Sequence, residues 1–68
     1  MSKNETILGT VIEAFPNTLF KVLLEDGREI KAHLAGKMRL FRIKVLIGDR
    51  VEVFLDPYGT LGRIIRRI

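Results

Sequence analysis

The sequence predicts an all-β domain, a five-stranded barrel with a short helical turn between its third and fourth strands. Three observations lead there. Apolar residues recur with a period of two, the spacing of a strand with one buried face. Turn signals separate the short runs: Pro16-Asn17, Asp26-Gly27, Gly48-Asp49 and Pro57-Tyr58-Gly59. One connection, residues 35–46, is longer than the others and carries no strand pattern.

The first strand is expected over residues 7–14, ILGTVIEA, which are largely β-branched and apolar. Gly9 inside it reads as a bend or bulge of a small coiled barrel. Phe15-Pro16-Asn17-Thr18 breaks the run, because Pro donates no amide and Asn favours turns. In the second strand, residues 19–24, Phe20, Val22 and Leu24 form the core face, with Leu19, Lys21 and Leu23 opposite. Asp26-Gly27 then predicts a type I′ hairpin, with both central residues at positive φ. The third strand, 28–34, alternates Arg28, Ile30, Ala32 and Leu34 with Glu29, Lys31 and His33. A helical turn is expected around Lys37–Phe41. The fourth strand, 50–55, faces inward with Val51, Val53 and Leu55, and the fifth covers 61–67. Five short strands with one longer insert after the third describe the oligonucleotide-binding barrel, or OB-fold. Closure leaves no exposed sheet edge.

Size and composition bound the rest. The chain has 68 residues, room for one domain and one core. It has no cysteine, so neither a disulfide nor a thiolate metal site is expected. No cofactor or metal is implied, because one histidine is too few for a His-based site. No stretch reaches the roughly 20 apolar residues of a membrane span, and the N-terminus lacks a signal-peptide run. A soluble intracellular monomer is expected, with residues 1–5 and the extreme C-terminus as its flexible parts.

Charge gives the first functional clue. The net charge is +4, unevenly placed. Residues 1–36 hold four Lys/Arg and five acids, a net of −1, and residues 37–68 hold eight and three, a net of +5. Such asymmetry suits a surface that meets a polyanion, although ordinary solubility charge is a rival reading on charge alone. The cations cluster in GKMRLFRIKVL, where Lys37, Arg39, Arg42 and Lys44 enclose Leu40 and Phe41. Leu40 and Phe41 read either as an anchor on the barrel, which composition favours, or as a wedge against a base or a partner.

Catalysis finds no constellation. His33 has no nucleophile or acid partner in the pattern, and it reads as a surface residue or an RNA contact. The carboxylates sit at turns or opposite cations. No phosphate-binding loop is present, since Gly36-Lys37-Met38 lacks the motif's first Gly and its Ser/Thr. Lys/Arg contacts to phosphate supply affinity, and aromatic or Arg planes stack on unpaired bases. Lys21 and Lys31 lie on the strands that bind ligands in this fold. Phe54 reads equally as part of a second small core or as an exposed stacking platform. Tyr58 either packs its loop or touches RNA. Arg63 and Arg66 add charge on the last strand, while Arg67 reads as a solvated tail. A cold-shock-like RNA binder would need aromatics displayed on strands two and three, and only Phe20 is there, on the core side. A protein-interaction barrel using Leu40, Phe41 and Phe54 is the other rival.

Three linked motifs carry a family resemblance. They are Pro16-Asn17-Thr18-Leu19-Phe20, then Ala35-Gly36-Lys37-Met38-Arg39, then Gly48-Asp49-Arg50-Val51 with Pro57-Tyr58 and Gly62-Arg63-Ile64. From about Gly9 to Arg67 the chain closely resembles bacterial translation initiation factor one. The resemblance implies a non-enzymatic OB-fold protein at the aminoacyl-tRNA site of the small ribosomal subunit. There the family contacts decoding-region ribosomal RNA and an adjacent ribosomal protein, blocks premature tRNA entry and cooperates with the other initiation factors. It implies RNA-contact roles for His33, Lys37, Met38, Arg39, Lys44 and Arg63. It also implies a cytoplasmic protein or a plastid-stroma version of one. The chain departs from the family at Leu40-Phe41-Arg42, which is more apolar than usual. It departs again at Lys44, usually Arg, where bidentate recognition gives way to a point charge, and in a loop after Tyr58 shorter by one residue. These departures read as weaker binding or as adaptation to a variant ribosome.

Overall fold

In the computed structural model, residues 5–55 and 61–68 are described. The elements run β1 (Glu5–Phe15), β2 (Leu19–Leu24), β3 (Glu29–Leu34), α1 (Gly36–Leu40), β4 (Arg50–Leu55) and β5 (Leu61–Arg67). The strands close into a barrel in the order β1-β2-β3-β5-β4. All pairs are antiparallel except β3 with β5. The expected all-β, five-stranded OB-fold barrel with one short helix between β3 and β4 is the fold observed.

β1 is an 11-residue strand whose two halves serve different partners. Its N-terminal half, Glu5–Thr10, pairs with β4, and Gly9–Phe15 pairs with β2. Gly9 and Thr10 face both neighbours. A Cβ on Gly9 would lie 2.6 Å from Val22 Cγ1 and 2.9 Å from the Leu23 carbonyl oxygen. Glycine is therefore needed there for close approach. The expected bulge is not at Gly9 but between Val11 and Glu13, where the β1–β2 register shifts and Ile12 turns outward. Gly62 repeats the device in β5, where a Cβ would meet Val53 Cγ1 at 2.6 Å.

The alternation expected from the sequence places the core. Val11, Phe20, Val22, Leu24, Ala32, Leu34, Val51, Val53 and Ile64 all point inward and are buried, and among the described residues no charged or polar side chain is buried with them. Leu55 packs against this cluster from its rim, partly buried. Phe20 is thereby core, as its alternation partners indicated.

Two local expectations need correction. The β2–β3 hairpin is not type I′. Gly27 (φ 96°) is the only residue of that turn at positive φ. The Leu24 amide donates to the Arg28 carbonyl at 2.7 Å, and the Gly27 amide donates to the Leu24 carbonyl at 2.9 Å. This is a three-residue loop, a type I turn followed by a left-handed glycine. The C-terminus is also tied down rather than loose. The Ile68 amide donates to the Arg50 carbonyl at 2.9 Å, extending the β4–β5 pairing. Residues 1–4, the rest of the expected flexible start, lie outside the described residues.

Candidate nucleic-acid interface

The long connection between β3 and β4 is built on the barrel rather than hung from it. The Ala35 amide donates to the Ile64 carbonyl at 2.8 Å, fixing the start of α1 against β5. The Met38 and Arg39 amides both donate to the Ala35 carbonyl, opening the single turn of helix. That turn drives Met38 inward, where it is 1% exposed.

The helix ends in a Schellman motif. The Ile43 amide donates to the Met38 carbonyl at 3.0 Å, and the Arg42 amide donates to the Arg39 carbonyl at 3.1 Å. This closure requires a left-handed residue just past the C-cap, usually glycine. Here the residue is Arg42, at φ 55°. Ile43 and Met38, the apolar pair such a motif brings together, line one side of an open apolar cleft of ≈ 400 Å³. Arg39, Arg42 and Lys44 line it as well. Further on, Asp49 accepts the Leu46 amide at 2.8 Å, and Gly48 (φ 98°) turns the chain into β4. Val45 is buried between these two turns.

The charges sort by partner. Glu13 and Glu29 flank Lys21 at 3.7 and 3.8 Å. Asp26 holds Arg28 at 2.8 Å, Glu25 holds Arg50 at 3.3 Å, and Glu52 holds Arg66 at 3.0 Å. Asp49 caps its own turn. Hydrogen bonding by the Arg28 backbone amide, supported by the Arg28 guanidinium, holds the Asp26 carboxyl below its usual value. Lys37, Arg39, Arg42, Lys44 and Arg63 are exposed and make no ion pair with any described residue. A phosphate meeting these five does not have to displace a described carboxylate. Lys21 and Arg66 are differently placed, since each already has an acid. Lys31 lies over the Phe15 ring, 5.5 Å from its centroid. Register explains the pairing of Lys21: it stands between Glu13 on β1 and Lys31 on β3, and the two glutamates offset the like charge opposite.

The apolar residues of the connection exchange the roles expected of them. Leu40 is 75% exposed and Phe41 65% exposed, so neither anchors the connection. Met38 does, buried beneath the cations rather than displayed among them. One helical turn accounts for both outcomes. It points Met38 at the barrel and carries Leu40 and Phe41 outward beside the cations.

On the barrel wall, His33, Arg63 and Phe54 are neighbours in one cross-strand row over β3, β5 and β4. With Leu61 and Gly62 they line a second depression of ≈ 210 Å³. Phe54 is half-buried on the outer face, not part of a second core. Tyr58 lies outside the described residues, as does the loop that contains it. Among the described residues no group of three His, Cys, Asp or Glu side chains is placed to hold a metal ion. No helix among them is long and apolar enough to cross a membrane.

Two contributors were not legible beforehand. Arg67 donates from Nη1 to the Lys44 carbonyl at 2.9 Å, which ties β5 to the basic connection. Nothing in the sequence around Arg67 signals this. Phe15, which underlies Lys31, sits at the β1–β2 turn, and its aromatic character beside Pro16 was the available sign.

The comparisons agree with this geometry. The family model described as "Translation initiation factor 1A / IF-1" matches residues 1–68. The solution structure of translation initiation factor one from the Wolbachia endosymbiont strain TRS of Brugia malayi is 37% identical, with a TM-score of 0.80. That match covers 98% of this chain and 80% of that one. YjeQ from Thermotoga maritima is 34% identical with a TM-score of 0.80, covering 94% of this chain but only 23% of that one. YjeQ therefore shares the barrel as a small part of a larger protein. With the match to the family model running end to end, the chain belongs to the translation initiation factor 1A / IF-1 family.

Proposed function

We propose that this initiation factor binds the small ribosomal subunit at the aminoacyl-tRNA, or decoding, site through ribosomal RNA. Bound there, it blocks premature tRNA entry and cooperates with the other initiation factors in the cytoplasm, without an enzymatic step. The observation that carries the reading is the β3–β4 connection. It displays Lys37, Arg39, Arg42 and Lys44 without acid partners among the described residues, around an exposed Leu40-Phe41 pair, on a backbone closed at both ends. Fixed cations bind phosphate through counterion release at little ordering cost. Leu40 and Phe41 suit unstacked bases or the apolar skin of an adjacent ribosomal protein.

Co-sedimentation with vacant small subunits across a salt series tests the reading, with the decoding-site antibiotic paromomycin as competitor. Saturable one-to-one binding that weakens steeply with salt and responds to paromomycin is expected. Each phosphate contact removed, as in Arg39→Ala or Lys44→Ala, lowers the log–log salt slope by about 0.7–0.9. No binding at low salt would move Leu40 and Phe41 to a protein partner and sink the decoding-site reading.

A further inference from the structure

We propose that the open cleft beneath the β3–β4 connection binds a small amphipathic anion, an alkyl carboxylate. Its chain would lie on the apolar floor and its head would meet the cations of the rim. The site stands on its own geometry. Only its consequence for subunit binding rests on the decoding-site reading.

Three observations support it. First, the cleft keeps two chemistries together. Phe20, Leu34, Met38 and Val45 line it although each is buried, so the core comes to the surface at the end of the barrel that α1 covers. Ile43 and Thr18 extend this lining. Arg39, Arg42 and Lys44 complete it, with no carboxylate, and none of the three makes an ion pair with any described residue.

Second, those cations are the side-chain donors left for a ligand. The Thr18 hydroxyl is already spent on the Asn17 carbonyl. A nucleobase laid on Phe20 and Met38 would leave polar edges unpaired, which costs free energy. A hydrocarbon chain has no such edges and gains by leaving water. The volume, ≈ 400 Å³, falls in the range of roughly 300–1,000 Å³ that small-molecule sites occupy.

Third, backbone strain gathers at the cleft. Asn17, Thr18 and Arg42 are the non-glycine residues at positive φ among the described residues. Thr18 (φ 57°) and Arg42 (φ 55°) both line the cleft. Glycine would meet either conformation without strain, and strained residues that the surrounding structure holds in place gather at ligand clamps. The rim is held: the Ile43 amide donates to the Met38 carbonyl at 3.0 Å, and the Lys44 carbonyl accepts from Arg67 at 2.9 Å.

In the bound state the carboxylate accepts from the arginine guanidinium groups, whose fork geometry matches it, and the chain covers Met38 and Phe20. The test uses the full chain, isotope-labelled, titrated by NMR with octanoate below its micelle-forming concentration. 1-Octanol and acetate serve as its separate halves. Saturable shifts of the Met38, Ile43 and Val45 methyl groups are expected with octanoate. Octanol should bind roughly tenfold more weakly, the factor that one charge-assisted hydrogen bond carries. Acetate should leave those methyl groups unmoved. Arg39→Gln, at an exposed position, should lower octanoate affinity by a similar factor and leave that of octanol unchanged. Equal binding of octanol and octanoate overturns the proposal, as do octanoate shifts confined to Leu40, Phe41, Leu46 and Ile47. Cleft shifts that appear on concentrating the protein with no ligand also overturn it, and give the cleft to a second copy of the chain.

The same probe separates this inference from the decoding-site reading. Arg39, Arg42 and Lys44 serve both, so octanoate should raise the apparent Kd for subunits in proportion to its concentration, and octanol should not. Octanoate that fills the cleft while subunit binding is unchanged keeps the cleft and removes these cations from the phosphate contacts. Normal subunit binding with no saturable octanoate site does the reverse.

Discussion

The Arg67 guanidinium donates a 2.9 Å hydrogen bond to the carbonyl oxygen of Lys44, joining the last strand to the segment whose cations make no ion pair with a described residue. A charged donor on a backbone acceptor is geometrically specific, and in this exposed setting its net worth is modest. Its effect is to hold the end of the connection still. Arg67→Lys keeps the charge and loses the fork that reaches Lys44. We expect roughly fivefold weaker subunit binding, the factor that about 1 kcal/mol carries. The salt slope should be unchanged, and hydrogen exchange at the Ile43 amide should be faster. A lower slope with unchanged exchange would make Arg67 a phosphate contact instead.

Arg42 combines two demands that pull apart. As the left-handed residue of the Schellman motif it is strained, and as a cation it serves binding. Arg42→Gly relieves the strain, which for a residue with a side chain is about 1 kcal/mol, partly offset by the freer unfolded chain. The variant should be roughly 0.5 kcal/mol more stable in urea melts and should bind subunits more weakly, with a salt slope lower by about 0.7–0.9. Loss of stability would show that the Arg42 side chain packs usefully where it sits.

Met38 and Leu40 are two residues apart and have opposite stakes. Met38 is buried at 1% and Leu40 is exposed at 75%. Met38→Ala should cost about 2–5 kcal/mol, a large part of the stability of so small a domain. Leu40→Ala should stay within about 0.5 kcal/mol while weakening subunit binding. Chemical denaturation of the two variants side by side checks the contrast, and equal losses would contradict the placement of the helix.

Asp26 links the hairpin to pH. Its folded-state pKa lies below the ordinary value because Arg28 favours the charged form. Its contribution is therefore fully present above the unfolded pKa and is lost as pH falls through the folded one. Asp26→Asn should flatten part of the acid limb between about pH 5 and pH 2 and lower stability slightly at neutral pH, where the contribution it removes is fully present. An unaltered acid limb would mean that Arg28 holds no preference for the ionised carboxylate.

Most of the barrel was legible because alternation is a local signal. Residues 19–24, 50–55 and 61–67 were bounded correctly from pattern and turn residues alone, and the inward set Phe20, Val22, Leu24, Val51 and Val53 followed from parity. The resemblance to bacterial initiation factor one, carried by three separated motifs, is borne out by the family match and the structural likeness. The errors have separate causes: a turn one residue longer than its dipeptide suggests, a change of period, and partners distant in sequence. Asp26-Gly27 suggested a two-residue turn, but the Leu24–Arg28 hydrogen bond makes the loop three residues long. Leu40-Phe41 suggested an anchor while the period remained two. One helical turn gave that role to Met38. Lys21 looked available until register set it between Glu13 and Glu29, and Arg67 looked like a tail until β5 brought it beside Lys44.

Gly9 and Gly62 pull the barrel wall so close that a single methyl group on either would strike a neighbouring valine. A lumen that tight admits no guest. Whatever this protein recognises along its walls is met on the outside, by the odd-one-out residue of each inward-outward pair. The two halves of every strand thus answer to separate masters. The inward residues are constrained by one another, and the outward ones only by what they touch. Changes at outward positions such as 54 or 40–41 can then retune recognition one position at a time, while the interior that presents them stays the same.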